Sequence, residues 1–401
     1  MPRRERRSRI KRRRTSLKAT NAGPILALSA TILSILGVIA LIVFVALPAL
    51  LPKLGISYNP PWQPTPTPRP TIRPTPTPHP VTRVDPAELQ HEVVLTGYDE
   101  YKWFADPYAW GDTLVFTAGR LVNDAVRMDA LFKLDMRANT YEKISAERTN
   151  DSYIYPVLNG DWLAYFDSKA EGGGVIRAIR LSTGEAKVVK QVYVGQPKLY
   201  LDGDILAWME RTGSRMDKLF ACDLTTMENV AVHLFNNTAY GQSSLSMCGG
   251  EIIYADADPN VTEAELDEAQ VSAIYSVQRS VGKTSVYTPN TYVHDPMTNG
   301  RQWIWRNGSH SVGDDLYWTQ YAQKPKLLAE DIVEYGLSDT FAAYSKNESI
   351  HVFFFDDGST IVITPPAERE RAQLLGVSNG VVIWMDVTSR ERDIMKYARV
   401  E

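Results

Sequence analysis

The acid-rich stretch "DADPNVTEAELDEAQ" (256–270) has the residue types of a calcium-binding loop. Asp256, Asp258 and Asn260 match positions 1, 3 and 5 of the twelve-residue EF-hand loop, whose oxygen ligands suit Ca²⁺. The pattern then departs, because position 6 is Val261 instead of glycine and position 12 is not glutamate. The letters "TEAE" fit a capping box that opens a short acidic helix. We interpret the stretch as a solvated insertion that can contact a partner, with a calcium site as the alternative.

Acidic side chains also recur at one place in a repeated pattern, two residues after an aromatic residue. The candidate binding residues at this place are Asp167, Glu210, Asp256, Asn307 and Asp386, while two further copies have Lys346 and Ala118. If the repeats form a ring, these side chains should gather at one rim, around the mouth of a central channel. Four acids there would attract a cation, a basic peptide or a polyamine through a focused negative potential. The alternative is that strand ends are simply polar.

The sequence carries no local signature of a catalytic or zinc site. "GVSNG" (376–380) matches the G-x-S-x-G pattern, but that motif must lead from a strand into a helix. Ser378 is instead followed by "VVIWMDV", which is typical of a strand. The six histidines include no H-x-H or H-E-x-x-H pair. We therefore assign no catalytic residue, no cofactor, and no metal ligand beyond the calcium alternative.

The aromatic residues belong to a repeat of about 45 residues, within the range of propeller repeats. In each copy an anchor residue, usually glycine, precedes a short apolar strand; the anchors are Gly111, Gly160, Gly203, Gly249, Gly300, Asp339 and Asn379. Five residues after each anchor the side chain is aromatic: Phe116, Tyr165, Trp208, Tyr254, Trp305, Tyr344 and Trp384. With one strand ahead of the anchor and a hairpin after the aromatic residue, each copy has four strands. This arrangement is typical of a β-propeller.

We predict an all-β fold, a β-propeller of seven four-stranded blades, with six blades as the alternative. The seventh copy reaches the end of the chain one strand short, and "HEVVLTG" (91–97) is a lone strand ahead of the first copy. We therefore expect residues 91–96 to pair with residues 392–400 and to close the ring, because closure removes two exposed sheet edges. The repeated aromatic residues are expected to pack between blades.

Two of the repeats resemble a known family. "NGDWLAYFD" (159–167) and "DGDILAWME" (202–210) look like the TolB-like propeller repeat, and the resemblance covers about residues 98–401. The chain departs from that pattern because it lacks the serine–proline lead-in, has seven copies where six are usual, and lacks an N-terminal domain of the TolB type. The resemblance implies an extracytoplasmic propeller that binds or scaffolds other molecules.

The N-terminal part predicts a membrane anchor. No charged residue occurs in residues 24–52, and about 27 helical residues extend about 40 Å, enough to cross a hydrocarbon core of about 30 Å. The apolar stretch is too long for a cleaved signal peptide. Residues 1–23 form a basic tail, with ten Arg or Lys against one acid in residues 1–20, which places the N-terminus in the cytoplasm. Such a tail can bind nucleic-acid phosphates, but beside a membrane span we expect anionic lipid headgroups as its partner and no nucleic acid.

Residues 53–88 form a Pro/Thr-rich linker that leads to the propeller over residues 89–401. Ten prolines in residues 59–80 favour polyproline II, a semi-rigid spacer that rises about 3.1 Å per residue. The two cysteines, Cys222 and Cys248, allow either one disulfide outside the cytoplasm or two buried thiols.

We therefore expect a single-pass protein of the cell membrane with an extracytoplasmic head. The predicted function is non-enzymatic binding or scaffolding of an envelope protein or ligand. The alternatives are a propeller-fold carbohydrate-active hydrolase or lyase, and a sensor head that works through another membrane protein.

Overall fold

The computed structural model describes residues 89–211, 217–235, 244–257, 272–278, 282–287, 293–308, 314–320, 323–364, 371–387 and 393–400. The predicted basic tail, membrane helix (24–52) and linker (53–88) lie outside the described residues. So do Asp258 and Asn260 of the calcium alternative. Within the described part, no helix has the length and apolar character needed to cross a membrane.

Twenty-eight β-strands occur in the described residues. The first fourteen are β1 (Gln90–Glu92), β2 (Trp103–Trp110), β3 (Thr113–Val122), β4 (Ala125–Asp135), β5 (Thr140–Lys143), β6 (Ser152–Asn159), β7 (Trp162–Ser168), β8 (Gly174–Arg180), β9 (Glu185–Val192), β10 (Leu199–Asp202), β11 (Ile205–Glu210), β12 (Lys218–Asp223), β13 (Glu228–Leu234) and β14 (Ser246–Cys248). The others are β15 (Glu251–Ala257), β16 (Ser272–Gln278), β17 (Gly282–Tyr287), β18 (Val293–Thr298), β19 (Gln302–Asn307), β20 (Asp314–Gln320), β21 (Lys326–Ile332), β22 (Tyr335–Leu337), β23 (Phe341–Lys346), β24 (Ser349–Phe354), β25 (Thr360–Val362), β26 (Ala372–Ser378), β27 (Val381–Asp386) and β28 (Ile394–Arg399).

The strands form seven antiparallel sheets of four strands each, which confirms the prediction of seven blades. Blades one to six use consecutive strands, from β2–β5 to β22–β25. The first strand of each blade contacts the first strand of the next, and β26 of the last blade contacts β2 of the first. The first strands therefore form a closed inner ring around a central channel, and the sheets extend outward from it.

Equivalent loops of the seven blades lie on two opposite faces, because neighbouring strands in each blade are antiparallel. Each first strand runs into the turn at its anchor residue, so all anchors share one face, which we call the anchor face. The connections that enter the first strands and leave the second strands share the opposite face, which we call the mouth face. The five anchor glycines have φ between +57° and +83°. A Cβ is disfavoured in that region by roughly 1–2 kcal/mol, which explains the preference for glycine.

The repeated aromatic residues fill the spaces between blades, as predicted. Six of the seven are fully buried, and Tyr344 is 7% exposed. Each packs against the preceding blade: Trp208 of blade three, for example, contacts the cluster around Trp162 and Ile176 of blade two, and Trp384 contacts blade six around Phe341. Burial of such a ring contributes about 1.5–3 kcal/mol. One aromatic residue per repeat therefore holds each pair of neighbouring blades together.

The last blade is completed by the N-terminal strand. Its order is β1-β28-β27-β26, with Gln90 opposite Ala398 and Glu92 opposite Lys396. The Val93 N–H extends this ladder by donating to the Met395 carbonyl at 2.9 Å. The predicted closure is therefore confirmed, but the pairing is shorter than expected: it runs from residue 90 to residue 93 instead of from 91 to 96. Strand β1 starts at the anchor face and ends at the mouth face.

Hydrogen bonds near the channel also join the last blade to the first. Ser378 Oγ accepts the Ala109 N–H at 2.9 Å, and the Asn379 side chain donates to the Ala109 carbonyl at 3.0 Å. Ser378 ends β26 and is followed by strand β27, so its hydroxyl has a structural role at this seam, as the sequence indicated. Asp393 accepts the Phe104 N–H at 3.2 Å.

The two cysteines are not joined by a disulfide. Cys222 is fully buried in β12 of blade three, and Cys248 is half-buried at the end of β14 in blade four. Of the two possibilities left by the sequence, the structure shows unbridged thiols.

We expect the residues that follow β1 to control the stability of the whole ring. Leu95 is buried in the core shared by the first and last blades, whereas Val94 is half exposed. Replacing Leu95 with Ala should lower the free energy of unfolding by about 2–5 kcal/mol, because it leaves a cavity in that core. The matched control Val94→Ala should change it by less than about 0.5 kcal/mol. Chemical unfolding of the full chain in detergent measures both; equal effects would contradict the role of this segment.

Candidate functional site

The four acids and one amide predicted from the repeat lie at or near the ends of the second strands, on the mouth face. Asp167, Asp256 and Asp386 are buried, and Glu210 and Asn307 are half-buried. Asn307 ends β19, in register with Val293 and Asp315 on the flanking strands.

Asp167 is fully buried and makes several hydrogen bonds. Its carboxylate accepts the Thr149 and Asn150 N–H groups at 2.8 and 3.0 Å and forms an ion pair with Arg177 at 3.2 Å. The Arg177 guanidinium also contacts the exposed Glu147 at 2.9 Å. Asp167 therefore fixes the connection that enters blade two, and both of its oxygens are occupied.

The other acids of this set also have cations or a histidine beside them. Glu210 lies 3.4 Å from Lys190 of the preceding blade, and Asp386 lies 3.1 Å from Lys396 on the neighbouring strand. Asp256 Oδ2 lies 2.7 Å from the Nε2 of His233, which belongs to the preceding blade. Local partners balance much of the charge of these acids. Their role in attracting a cation stays a prediction.

A second set of side chains lies five residues before the anchors, where the chain enters each first strand. These residues are Asp106, Tyr155, Lys198, Ser244, Asp295 and Glu334, which we call the channel ring. All six are exposed or half-buried, whereas the seventh equivalent, Leu374, is 4% exposed. The channel ring therefore brings six different blades to one level of the channel near the mouth face.

Backbone strain supports the channel ring in three blades. Asp106, Tyr155 and Asp295 have φ of +50° to +52°, and each precedes a proline. Each lies where the pairing of its first strand shifts register, as in a β-bulge. A left-handed non-glycine residue costs about 1–2 kcal/mol, and such strain clusters at functional sites.

Hydrogen bonds join neighbouring members of the channel ring. Asp106 Oδ2 accepts the Tyr155 N–H at 3.0 Å, which connects blades one and two. Asp295 Oδ1 accepts the Ser244 N–H, which connects blades four and five. The carboxylates are therefore held by the backbone of the adjacent blade.

Lys198 is exposed to solvent inside this ring of charges. Its pKa is raised, first by Tyr200 and then by Asp295, Glu334 and Asp106, against burial within the ring, which lowers it. These carboxylates belong to three other blades, so they face Lys198 across the channel. Among the described residues, Lys198 makes no hydrogen bond or ion pair, and its closest ring contact is Tyr200 at 5.9 Å. The opposite charges thus act over a gap.

The pKa values of the three carboxylates are shifted in different directions. Burial raises the pKa of Asp106, with the Tyr155 N–H and Lys198 opposing it. Burial likewise raises the pKa of Glu334, opposed by Arg306 and Lys198. Burial also acts to raise the pKa of Asp295, but His294, the Ser244 N–H and Arg306 outweigh it and lower that pKa to about 2. Asp295 is therefore the acid held most firmly in its ionised form.

Side chains of blade five position two of these acids. His294 Nδ1 lies 2.9 Å from Asp295 and its Nε2 lies 3.2 Å from the buried Asp314. Arg306 contacts Asp314 at 3.3 Å and Glu334 at 3.5 Å. The Tyr335 hydroxyl donates to the Asp295 carbonyl. This chain of contacts orients the fifth- and sixth-blade members of the channel ring.

A cavity of about 170 Å³ opens beside Lys198, at the junction of blades three and four. Its lining is Gln196, Pro197, Lys198, Tyr200, Met209 and Ser244. It offers an ammonium, an amide and hydroxyls on one side and two apolar side chains on the other. In the described residues, no group of three His, Cys, Asp or Glu side chains is placed to hold a metal ion.

The sequence analysis did not identify the channel ring, because it compared only the residues that follow each anchor. The channel ring lies five residues before the anchors. A signal was present: Asp-Pro or Tyr-Pro occurs at the same distance from the anchor in three copies, at Pro107, Pro156 and Pro296. The position before these prolines has a different chemical character from copy to copy. Variation at a fixed structural position in a repeat was the available evidence of function.

No protein-family model matches the chain, and no curated protein matches its sequence. Solved structures with a similar fold include the β-propeller domain of the Trilobed protease from Pyrococcus furiosus, with a TM-score of 0.57 and 12% identity over 75% of this chain and 96% of that one. An acylaminoacyl peptidase in complex with Z-Gly-Gly-Phe-chloromethyl ketone has a TM-score of 0.56 and 11% identity, over 74% of this chain and 51% of that one. An oligogalacturonate lyase in complex with manganese gives 0.51 and 12%, over 75% and 90%. These likenesses show the propeller fold alone.

We expect Asp167 to be structural. Replacing Asp167 with Asn should lower the free energy of unfolding by about 3 kcal/mol or more, because it leaves the buried Arg177 without its buried counter-charge. The control Glu147→Gln removes the other partner of the same arginine, at an exposed position, and should cost less than about 1 kcal/mol. Chemical unfolding curves compare the two variants; a Glu147→Gln loss as large as that of Asp167→Asn would refute this assignment.

Proposed function

We propose that this chain is a single-pass, membrane-anchored, extracytoplasmic β-propeller that binds an envelope protein or ligand at its mouth face without catalysis. The observation that carries the proposal is the channel ring. The residue five positions after each anchor is aromatic in all seven copies, because packing between blades demands it. The residue five positions before the anchor is an acid, a base, a phenol or a hydroxyl in six blades and Leu374 in the seventh. Such variety indicates recognition of an asymmetric partner.

The proposed anchor is compatible with this use of the mouth face. Residues 24–52 would cross the bilayer, and the basic tail 1–23 would contact anionic lipid headgroups in the cytoplasmic leaflet. The linker 53–88 leads into β1, which starts at the anchor face. The tether therefore joins the ring at the face opposite the channel mouth. The TolB-like repeat pattern supports the same extracytoplasmic setting.

Exposed apolar side chains on the mouth face favour a protein partner. Strands β3 and β4 are longer than the second and third strands of the other blades, and Leu121 and Val126 near the tip of their hairpin are about half exposed. Tyr193, in the connection that enters blade three, is 80% exposed, and Val333 lies beside Glu334. Apolar side chains around a polar mouth are typical of protein-binding surfaces.

Site-specific photo-crosslinking tests this function in cells that express the full chain. A photoreactive phenylalanine in place of Tyr193, on the mouth face, should give a discrete crosslinked product. The same group at the exposed Thr183, in a turn on the anchor face, should not. Asp106→Asn in the Tyr193-substituted chain should reduce the product several-fold, because the channel ring contributes to binding. Equal labelling from both faces, or no dependence on Asp106, would refute the proposal.

A hydrolase or lyase is the second candidate, and one observation favours it. Glu334 and Asp106 have raised pKa values while that of Asp295 is about 2, and environments that push carboxyl pKa values apart can separate an acid from a base. We expect no turnover of oligogalacturonate or other acidic oligosaccharides by the full chain, measured as unsaturated or reducing ends. Turnover that is lost in Glu334→Gln but kept in Asp339→Asn, on the anchor face, would establish the enzyme instead.

A further inference from the structure

The channel ring separates opposite charges across the channel. Lys198 lies on blade three, whereas Asp106, Asp295 and Glu334 lie on blades one, five and six. All of these side chains reach solvent. The ring therefore has a positive end at Lys198 and a negative end, where Asp295 and Glu334 have partners in blade five and Asp106 has no ion-pair partner among the described residues.

Lys198 at the positive end and Asp106 at the negative end each keep a position open to a ligand. Within the described residues, Lys198 has no ion-pair partner within 4 Å. The only hydrogen bond of the Asp106 side chain in that part of the chain is the one that its Oδ2 accepts from Tyr155, so Oδ1 can accept another donor. Charged groups that face each other at a distance in a partly enclosed site gain from a polar group placed between them.

The sign of the charges selects the kind of ligand. A simple anion that reached Lys198 would also meet three carboxylates, and a simple cation drawn to the carboxylates would also meet Lys198. A zwitterion avoids both repulsions, because its anionic group can pair with Lys198 while its ammonium group faces the carboxylates.

The cavity beside Lys198 limits the size of this ligand. Its volume of about 170 Å³ suits a small molecule. The Ser244 and Tyr200 hydroxyls can donate hydrogen bonds to an anionic group at Lys198, while Met209 and Pro197 provide apolar lining. A carboxylate with a short apolar side chain fits this lining.

We propose that the channel ring binds a small zwitterion of the α-amino-acid type, with its carboxylate at Lys198 and its ammonium group at Asp106. This proposal rests on the proposed function, since it names the ligand class of the same site. The apolar side chain of the ligand lies against Met209.

Calorimetric titration of the full chain in lipid nanodiscs tests the proposal with three matched probes. L-Leucine carries both charges, L-leucinamide lacks the carboxylate, and N-acetyl-L-leucine lacks the ammonium group. We expect L-leucine to bind at least tenfold more tightly than either analogue. Equal binding of L-leucine and either analogue, or no binding of L-leucine, would overturn the proposal.

Variants assign the two ends of the ligand separately. Lys198→Met should weaken L-leucine binding at least tenfold and leave L-leucinamide unchanged or bound more tightly. Asp106→Asn should weaken L-leucine but not N-acetyl-L-leucine. The control Lys169→Met removes an exposed positive charge elsewhere on the mouth face and should change nothing. If Lys169→Met weakens L-leucine binding as much as Lys198→Met does, the assignment is wrong.

The outcome is separable from that of the proposed function. If Tyr193 crosslinking depends on Asp106 but L-leucine does not bind, the mouth face binds a partner and the zwitterion proposal fails. If crosslinking shows no dependence on face or on Asp106 and L-leucine also fails to bind, both proposals fail.

Discussion

Closure of the ring is the constraint on which the rest of this structure depends. Each blade buries its aromatic residue against the preceding blade. The aromatic residue of the first blade is therefore buried only if the last blade packs against it. The chain achieves this by completing its last sheet with β1, from the other end of the propeller. Once the ring is closed, six blades bring polar side chains to one level of the channel. An open chain of the same sheets would not oppose Lys198 to carboxylates of blades one, five and six.

The repeat made most of the fold predictable. The aromatic residues after the anchors, the period of about 45 residues and the unpaired strand near residue 91 led to seven blades and to their closure. The candidate site was less accessible. The acids at the ends of the second strands could be named, but their partners could not, because Lys190 and His233 come from the preceding blade and share no pattern with Glu210 and Asp256. Whether an acid has an ion-pair partner depends on contacts with the neighbouring blade. The spacing of the repeats does not predict those contacts.

The seven copies act as an internal comparison of what the fold requires and what it leaves free. Packing fixes the position after the anchor as aromatic, and turn geometry favours glycine at the anchor. The position before the anchor carries backbone strain in three blades and yet holds Asp, Tyr, Lys, Ser or Glu. The same fold occurs in two peptidases and a lyase, so the architecture alone does not identify an activity.

The position of β1 has a mechanical consequence. This strand has only three residues, and it is the first strand that a pull on the preceding chain would reach. The hydrogen bonds between β1 and β28 are perpendicular to the strands. Tension along the chain therefore acts on them in shear, so that they must break together instead of one after another. The β1–β28 pairing that closes the propeller therefore also bears any tension between the proposed tether and a molecule bound at the mouth face.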